Sequence, residues 1–268
     1  MKTIAFLGAG NMGGAIIRSV CGAGKSDRVI ITDYSVQKAV ELAQEVGCEA
    51  AEGNVKAAMA AKFVLLAVKP QVIESVIEEI APYLTDEQVL VSIAAGVTIK
   101  SISEKLARFG KSLPIIRLLP NTPAAIGKGL VLVVPSPDTE KADLEELIDL
   151  LRPCGRVEKT SENYADAIMV IGGCTPAFTY MFIEALADGA VMTGLPRADA
   201  LTFAAQTVMG AAAMVLESGK HPGELKDAVC SPAGSTIEGV NTLEKGAFRA
   251  SVMDAVINAW HRTVQLGK

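Results

Sequence analysis

Short, nearly continuous apolar runs alternate with helically spaced apolar positions along the first 160 residues. The runs lie at 3–7, 29–31, 63–68, 89–93, 115–119 and 130–134, and the helical patterns at 15–21, 36–46, 71–81, 99–108 and 143–151. Strands that are apolar throughout, with helices between them, predict a mostly parallel sheet covered on both faces. From about Ser161 the pattern changes, and helical stretches at 176–192, 198–217, 237–243 and 248–266 dominate. Gly194, Gly219, Gly246 and Gly267 each follow one of these stretches, where a left-handed cap favours glycine. The expected organisation is a doubly wound α/β domain over residues 1–160 and an all-α domain over 161–268. No Pro/Ser-rich linker, internal repeat or low-complexity segment separates them.

The first apolar run leads into Gly8-Ala9-Gly10-Asn11-Met12-Gly13, a G-x-G-x-x-G between a strand and a helix, and Asp33 follows the second run. This is the dinucleotide pattern of a Rossmann-like sheet. Gly8 permits the tight turn, Gly10 lets a pyrophosphate approach the backbone, and Gly13 lets helix and sheet pack closely. The helix N–H groups then face the phosphates. A carboxylate at Asp33 accepts from the ribose 2′-OH and repels a 2′-phosphate, so the expectation is NADH over NADPH. Lys38 stands one turn into the next helix, poorly placed to hold that phosphate. Ala67-Val68-Lys69-Pro70-Gln71, Ala94-Ala95-Gly96 and Leu119-Pro120-Asn121-Thr122-Pro123 leave the same strand edge. Singly they are ordinary turn chemistry; together they outline a nicotinamide pocket.

Composition narrows the class. Half of the residues are apolar but only 4% are aromatic, and the mean hydropathy of +0.35 rests largely on Ala and Gly. Such a chain suits close helix packing or a buried subunit interface. The longest uncharged stretches, 167–183 and 200–216, fall short of the roughly 20 apolar residues of a spanning helix, so no membrane span is expected. The start lacks a signal-peptide pattern, and Cys21, Cys48, Cys154, Cys174 and Cys230 are scattered. They read as small buried hydrophobes in a reducing cytoplasm. A net charge of −5 argues against nucleic acid. The two histidines, His221 and His261, cannot build a His-rich site, so no metal is expected.

One late segment carries distinct chemistry, Asp227-Ala228-Val229-Cys230-Ser231-Pro232-Ala233-Gly234-Ser235-Thr236-Ile237-Glu238. Ser235 and Glu238 have capping-box spacing, so a helix starts there. Gly234, the first-turn N–H groups and the Thr236 hydroxyl make a cradle for a carboxylate. The same residues also describe a well-capped helix and nothing more; spacing alone does not choose.

These motifs, in order, resemble the pyrroline-5-carboxylate reductase family over nearly the whole chain. The resemblance takes in Gly8 to Gly13, Ala67-Val68-Lys69-Pro70, Ala94-Ala95-Gly96-Val97-Thr98-Ile99 and Leu119 to Pro123. It continues through Ala185-Leu186-Ala187-Asp188-Gly189, Gly194-Leu195-Pro196-Arg197 and His221-Pro222-Gly223. Its most specific piece is Ser231-Pro232-Ala233-Gly234-Ser235-Thr236-Ile237, similar to the family's S-P-G-G-T-T-I. The resemblance implies hydride transfer from NAD(P)H to the C=N carbon of 1-pyrroline-5-carboxylate, giving L-proline, the last step of proline synthesis. It implies a carboxylate held by Gly234, Ser235 and Thr236, with Thr236 near the ring nitrogen as proton donor. It assigns Asn54 to the adenosine ribose. It also implies dimers that often assemble into decamers, which suits the small residues around Gly210-Ala211-Ala212-Ala213.

Two departures stand out. Gly172-Gly173-Cys174-Thr175-Pro176-Ala177 replaces the family's S-G-S-G-P-A, and Asp33 replaces a common small polar residue. A protonated imine is already electrophilic, so orientation and anchoring suffice without a His–carboxylate pair. His221 reads as a helix-boundary residue, His261 as structural, and Lys69 as either a cofactor-loop or a solvated lysine. The competing readings are a related imine or β-hydroxyacid oxidoreductase, and a non-catalytic dinucleotide sensor. The β-hydroxyacid type wants an amide four residues after a lysine, and Lys220, Lys226 and Lys245 lack one.

Overall fold

The computed structural model describes residues 2–24 and 26–266. The chain divides into two compact units, Met1–Gly173 with Arg262–Lys268, and Cys174–His261. The first unit is the Rossmann-like α/β part. Its sheet holds β1 (Thr3–Leu7), β2 (Arg28–Thr32), β3 (Glu49–Ala50), β4 (Phe63–Leu66), β5 (Val89–Ser92), β6 (Ile115–Leu119), β7 (Gly129–Pro135) and β8 (Gly155–Lys159). The order is β3-β2-β1-β4-β5-β6-β7-β8. Every neighbouring pair is parallel except β6–β7. Only a short 3-10 turn at Thr122–Ile126, closed by Gly127 at φ +69°, joins β6 to β7. With no helical crossover between them, the two strands run antiparallel.

Successive strand residues face opposite sides, so the apolar strands feed two cores. On one face Ile4, Phe6, Phe63 and Leu65 pack with α1 (Asn11–Gly22), α2 (Val36–Val46) and α6 (Lys141–Leu151). On the other, Ala5, Leu7, Val64 and Leu66 pack with α3 (Asn54–Met59), α4 (Ile73–Ile80) and α5 (Ile99–Ala107). β3, β8 and α3 are additions to the sequence-based expectation. Both residues of β3 are exposed and β8 has no buried residue, so neither carries an apolar run. α7 (Ala165–Met169) follows β8, and a π-turn over 170–174 ends the first unit.

The second unit is helical, with α8 (Thr175–Met192), α9 (Arg197–Ser218), α10 (Pro222–Ala228), α11 (Ser235–Lys245) and most of α12 (Phe248–Leu266). α8 packs against α9, and Phe182 meets Phe248 with ring centroids 5.9 Å apart. Among its described residues only Ala187 and Ala200 are buried. Two helical stretches, Glu162–Met192 and Arg197–Ser218, are long and apolar enough to cross a membrane, each with mean hydropathy 1.4. They outrun the uncharged stretches of the sequence because helix continues through Glu184, Asp188 and Glu217.

Two expectations need correcting. Gly219 is a left-handed cap and Gly194 has φ +99°, but Gly246 sits at φ −77°, and Ala247 takes the left-handed conformation at +54°. Gly267 lies outside the described residues. Of the five cysteines only Cys154 is buried. Its burial pushes the thiol up to about 11. Cys21 and Cys48 are half-buried and hydrogen-bond each other, which lowers Cys21 and raises Cys48.

Candidate dinucleotide and substrate sites

β1 ends where the strand order reverses, between β2 and β4, and open sheets bind ligands outside the strand ends at such a point. Gly8 turns the chain there at φ +111°, and its N–H donates to Thr32 O at 2.9 Å. A Cβ on Gly8 would lie 2.6 Å from Ala67 O, and one on Gly13 would lie 2.8 Å from Gly8 O and 2.9 Å from Ala67 Cβ. Those two glycines let the loop close against the start of the β4–α4 connection. Gly10 differs: a Cβ there would meet nothing within 4 Å. It is the extended N-cap of α1, with no side-chain cap and no acidic residue in the first turn. The N–H groups are thus open on that side, a cradle suited to a pyrophosphate. Asn11 is exposed, and Met12 packs against the core.

The neighbouring candidates converge on this loop. Ala9 N–H donates to Asp33 Oδ2 at 2.8 Å, and Ser35 N–H to Asp33 Oδ1 at 3.0 Å. The carboxylate at the end of β2 is thereby fixed beside the glycine turn. Asn54, first residue of α3, accepts from the Thr32 hydroxyl at 2.6 Å and donates to Glu79 at 2.7 Å. Ala67 N–H donates to Leu7 O at 2.8 Å; Val68 is half-buried, and Lys69 is exposed at the start of the turn Pro70–Val72. Lys38 is exposed, and with Gly10 and Asn11 it borders a cavity of about 210 Å³.

Beyond β5, Ala94 is buried and Ala95 exposed. Pro70, Ala95, Gly96 and Thr98 border a second cavity of about 390 Å³. Arg117 on β6 reaches it while only 2% exposed. Its Nη1 donates to Glu162 Oε1 at 3.2 Å, and the same oxygen accepts from Ile99 N–H at 3.1 Å. Arg117 Nε and Nη2 are buried without a hydrogen-bond partner. The sequence reading missed this residue. The available signal was a charge in the middle of Ile115-Ile116-Arg117-Leu118-Leu119, a strand apolar everywhere else. Asn121, in the next loop, is a structural bracket: it accepts from Leu130 N–H at 2.8 Å and donates to Gly172 O at 3.1 Å.

Gly234, Ser235 and Thr236 lie in the second unit. Gly234 N–H donates to Ser231 O at 3.0 Å, closing a turn in which Ala233 takes φ +58°. The capping box is corrected here. Gly234, extended at φ −79°, is the N-cap of α11; Ser235 is already helical, and no side chain caps the end. The turn at 231–234 starts the helix one residue earlier than a Ser235 cap requires. The first-turn N–H groups therefore face solvent without a side-chain acceptor, beside the exposed Ser235 and Thr236. His221 is the N-cap of α10, its Nδ1 accepting from Gly223 N–H at 3.0 Å, and the His261 ring lies 5.0 Å from that of Trp260, tilted by 53°. Among the described residues no group of three or more His, Cys, Asp or Glu could hold a metal.

A sheet in this order, a glycine turn at its reversal point and a helical second unit define a nicotinamide-dinucleotide-dependent oxidoreductase. Comparison with known proteins narrows the class. Residues 162–266 match the family profile "Pyrroline-5-carboxylate reductase dimerisation", and residues 3–96 match "NADP oxidoreductase coenzyme F420-dependent". The chain is 40% identical to the pyrroline-5-carboxylate reductase of Escherichia coli (strain K12), over 100% of this chain and 99% of that protein. The structure of a pyrroline-5-carboxylate reductase from Coxiella burnetii aligns with TM-score 0.91 and 31% identity over 99% of this chain and 98% of the other. That of the Plasmodium falciparum pyrroline carboxylate reductase with NADP bound gives 0.87 and 29% over 100% and 98%. The chain belongs to the pyrroline-5-carboxylate reductase family, and it carries that family's dimerisation domain.

Proposed function

We propose that this chain reduces 1-pyrroline-5-carboxylate to L-proline, the last step of proline biosynthesis. The observation that carries the reading is the end-to-end likeness to the Escherichia coli reductase. The open glycine turn supports a dinucleotide held by Gly8 to Gly13, Asp33 and Asn54, with Ala67 to Pro70 and Ala94-Ala95 walling the ring end. Bound NADH or NADPH supplies a hydride for the C=N carbon of the imine, the carbon that becomes C5 of proline. The uncapped start of α11 supports Gly234, Ser235 and Thr236 as the carboxylate anchor. The Thr236 hydroxyl orients the ring nitrogen and relays a proton from solvent to it, keeping its own proton count unchanged. Residues 1–160 act as the cofactor domain and 161–268 as the substrate and dimerisation domain. The working form is a cytoplasmic homodimer, assembled further toward a decamer, that engages neither nucleic acid nor membrane.

Asp33 supports a preference for NADH, because a carboxylate fixed by two N–H donors repels a 2′-phosphate. The test is loss of reduced-cofactor absorbance when pyrroline-5-carboxylate is added to purified protein, run with both cofactors and with the six-membered imine. Tight NADH binding without turnover would instead identify a sensor, and a higher kcat/KM with NADPH would overturn the role of Asp33.

A further inference from the structure

We propose that Arg117 recognises the carboxamide of the nicotinamide ring and sets how the ring lies. The inference rests on the reading above that the loop at Ala94–Gly96 receives this ring. A buried guanidinium with two nitrogens lacking any acceptor is costly in a folded protein, so the arrangement awaits one. Arg117 reaches the cavity bordered by Pro70, Ala95 and Gly96, whose small residues admit a flat ring. Charge narrows the acceptor. Glu162 already neutralises Arg117 through Nη1, and the Asp166 carboxylate lines the same cavity, so a free anion is disfavoured. The group must offer an oxygen to Arg117 Nε or Nη2 and an N–H to a carboxylate. A planar primary carboxamide has both.

Glu162 makes Arg117 a positioning residue as well. Its Oε1 joins the guanidinium to Ile99 N–H, so the strand β6 that carries Arg117 is tied to the start of α5, immediately after the small-residue loop. The loop and the carboxamide donors therefore share one anchor.

The experiment measures dissociation constants by calorimetry for NADH, for ADP-ribose, which lacks the ring, and for a reduced pyridine dinucleotide without the carboxamide. R117K keeps the charge that faces Glu162 but removes the fork. NADH binding to R117K weakens about ten- to a hundredfold, as expected for losing a hydrogen bond to a charged group. Binding of ADP-ribose and of the carboxamide-free dinucleotide stays within about twofold of wild type. D166N, a near-isosteric change, weakens NADH several-fold and spares ADP-ribose, and it serves where R117K does not fold. Wild-type protein that binds the carboxamide-free dinucleotide as tightly as NADH overturns the proposal. So do variants that lose NADH and ADP-ribose affinity equally. Wild-type protein that binds neither NADH nor ADP-ribose sinks the cofactor reading itself, a distinct result.

Discussion

Two glycines of one motif have opposite physical jobs, and single methyl groups separate them. In Gly13→Ala the new Cβ falls 2.8 Å from Gly8 O and 2.9 Å from Ala67 Cβ, short of ordinary contact at 3.4 Å by about half an ångström. Both neighbours belong to tightly paired backbone, since Gly8 and Ala67 hydrogen-bond to β2 and β1. The helix must move away from the sheet, an overpacking cost of about 1–3 kcal/mol. That lowers Tm by roughly 2–4 °C per kcal/mol in a chain of this size. In Gly10→Ala the Cβ meets nothing, and φ is already −67°. An alanine N-cap costs up to about 1 kcal/mol, offset by about 0.4–1 kcal/mol from a less flexible unfolded chain. Stability should stay within about 0.5 kcal/mol of wild type. The methyl instead occupies the space through which a pyrophosphate meets the helix N–H groups, so NADH affinity falls at least about tenfold. Thermal unfolding at fixed protein concentration and NADH calorimetry read the two effects separately. The reasoning fails if Gly10→Ala binds NADH normally, or if it unfolds as early as Gly13→Ala.

Other expectations concern the second unit and the thiols. Thr236→Val removes the hydroxyl beside the α11 N-terminus while keeping shape; kcat/KM for the imine should fall at least about tenfold with NADH affinity unchanged, and unaltered turnover would remove Thr236 from the reaction. Ala247→Gly relieves a left-handed alanine at φ +54° and should raise stability by up to about 1 kcal/mol, measured by denaturant unfolding; a loss would refute the strain. Burial raises the Cys154 thiol from 9.0 to about 11, so the folded state disfavours its thiolate. Its contribution to stability is intact below pH 9 and fades as pH rises toward 11, and Cys154→Ala should flatten that decline in unfolding measurements. In mass-spectrometric alkylation mapping, Cys21, lowered by its bond with Cys48, should react before Cys154.

How much of this was legible follows from where the information sits. The parallel strands were readable because each is buried on both faces, so Thr3–Leu7 or Phe63–Leu66 shows as a solid apolar run. β8 was not, because Gly155-Arg156-Val157-Glu158-Lys159 is an edge strand with no buried residue. α3 and α10, with six and seven residues, are too short to show a period of 3.6. The absence of a helical pattern between 119 and 130 foreshadowed the antiparallel β6–β7 pair. At the site, the glycine turn was legible because its chemistry is local and consecutive. Arg117, Glu162 and Asp166 were not, because Glu162 and Asp166 follow Arg117 by some 45 residues and meet it only through the fold. The cap at Gly246 failed for a subtler reason: both Gly246 and Ala247 follow the helix, and only backbone geometry shows which of them turns left-handed.

The contrast between the two units has a mechanistic consequence. The first has two buried cores of its own, whereas the second buries only Ala187 and Ala200 and exposes Met181, Met192, Phe203 and Leu216. Helices so apolar need another surface to cover them. Charges set among those residues, including the Asp188–Arg197 ion pair, and small residues at Gly210 to Ala213 suit a second protein chain better than lipid. The matched dimerisation profile points the same way. The glycine turn thus belongs to a unit with its own core, while the Gly234–Thr236 turn belongs to one stabilised by association. On dilution below the dimer dissociation range, monitored by sedimentation, affinity for the imino acid should fall before affinity for NADH does. Simultaneous loss of both would mean that the first unit also depends on the second copy.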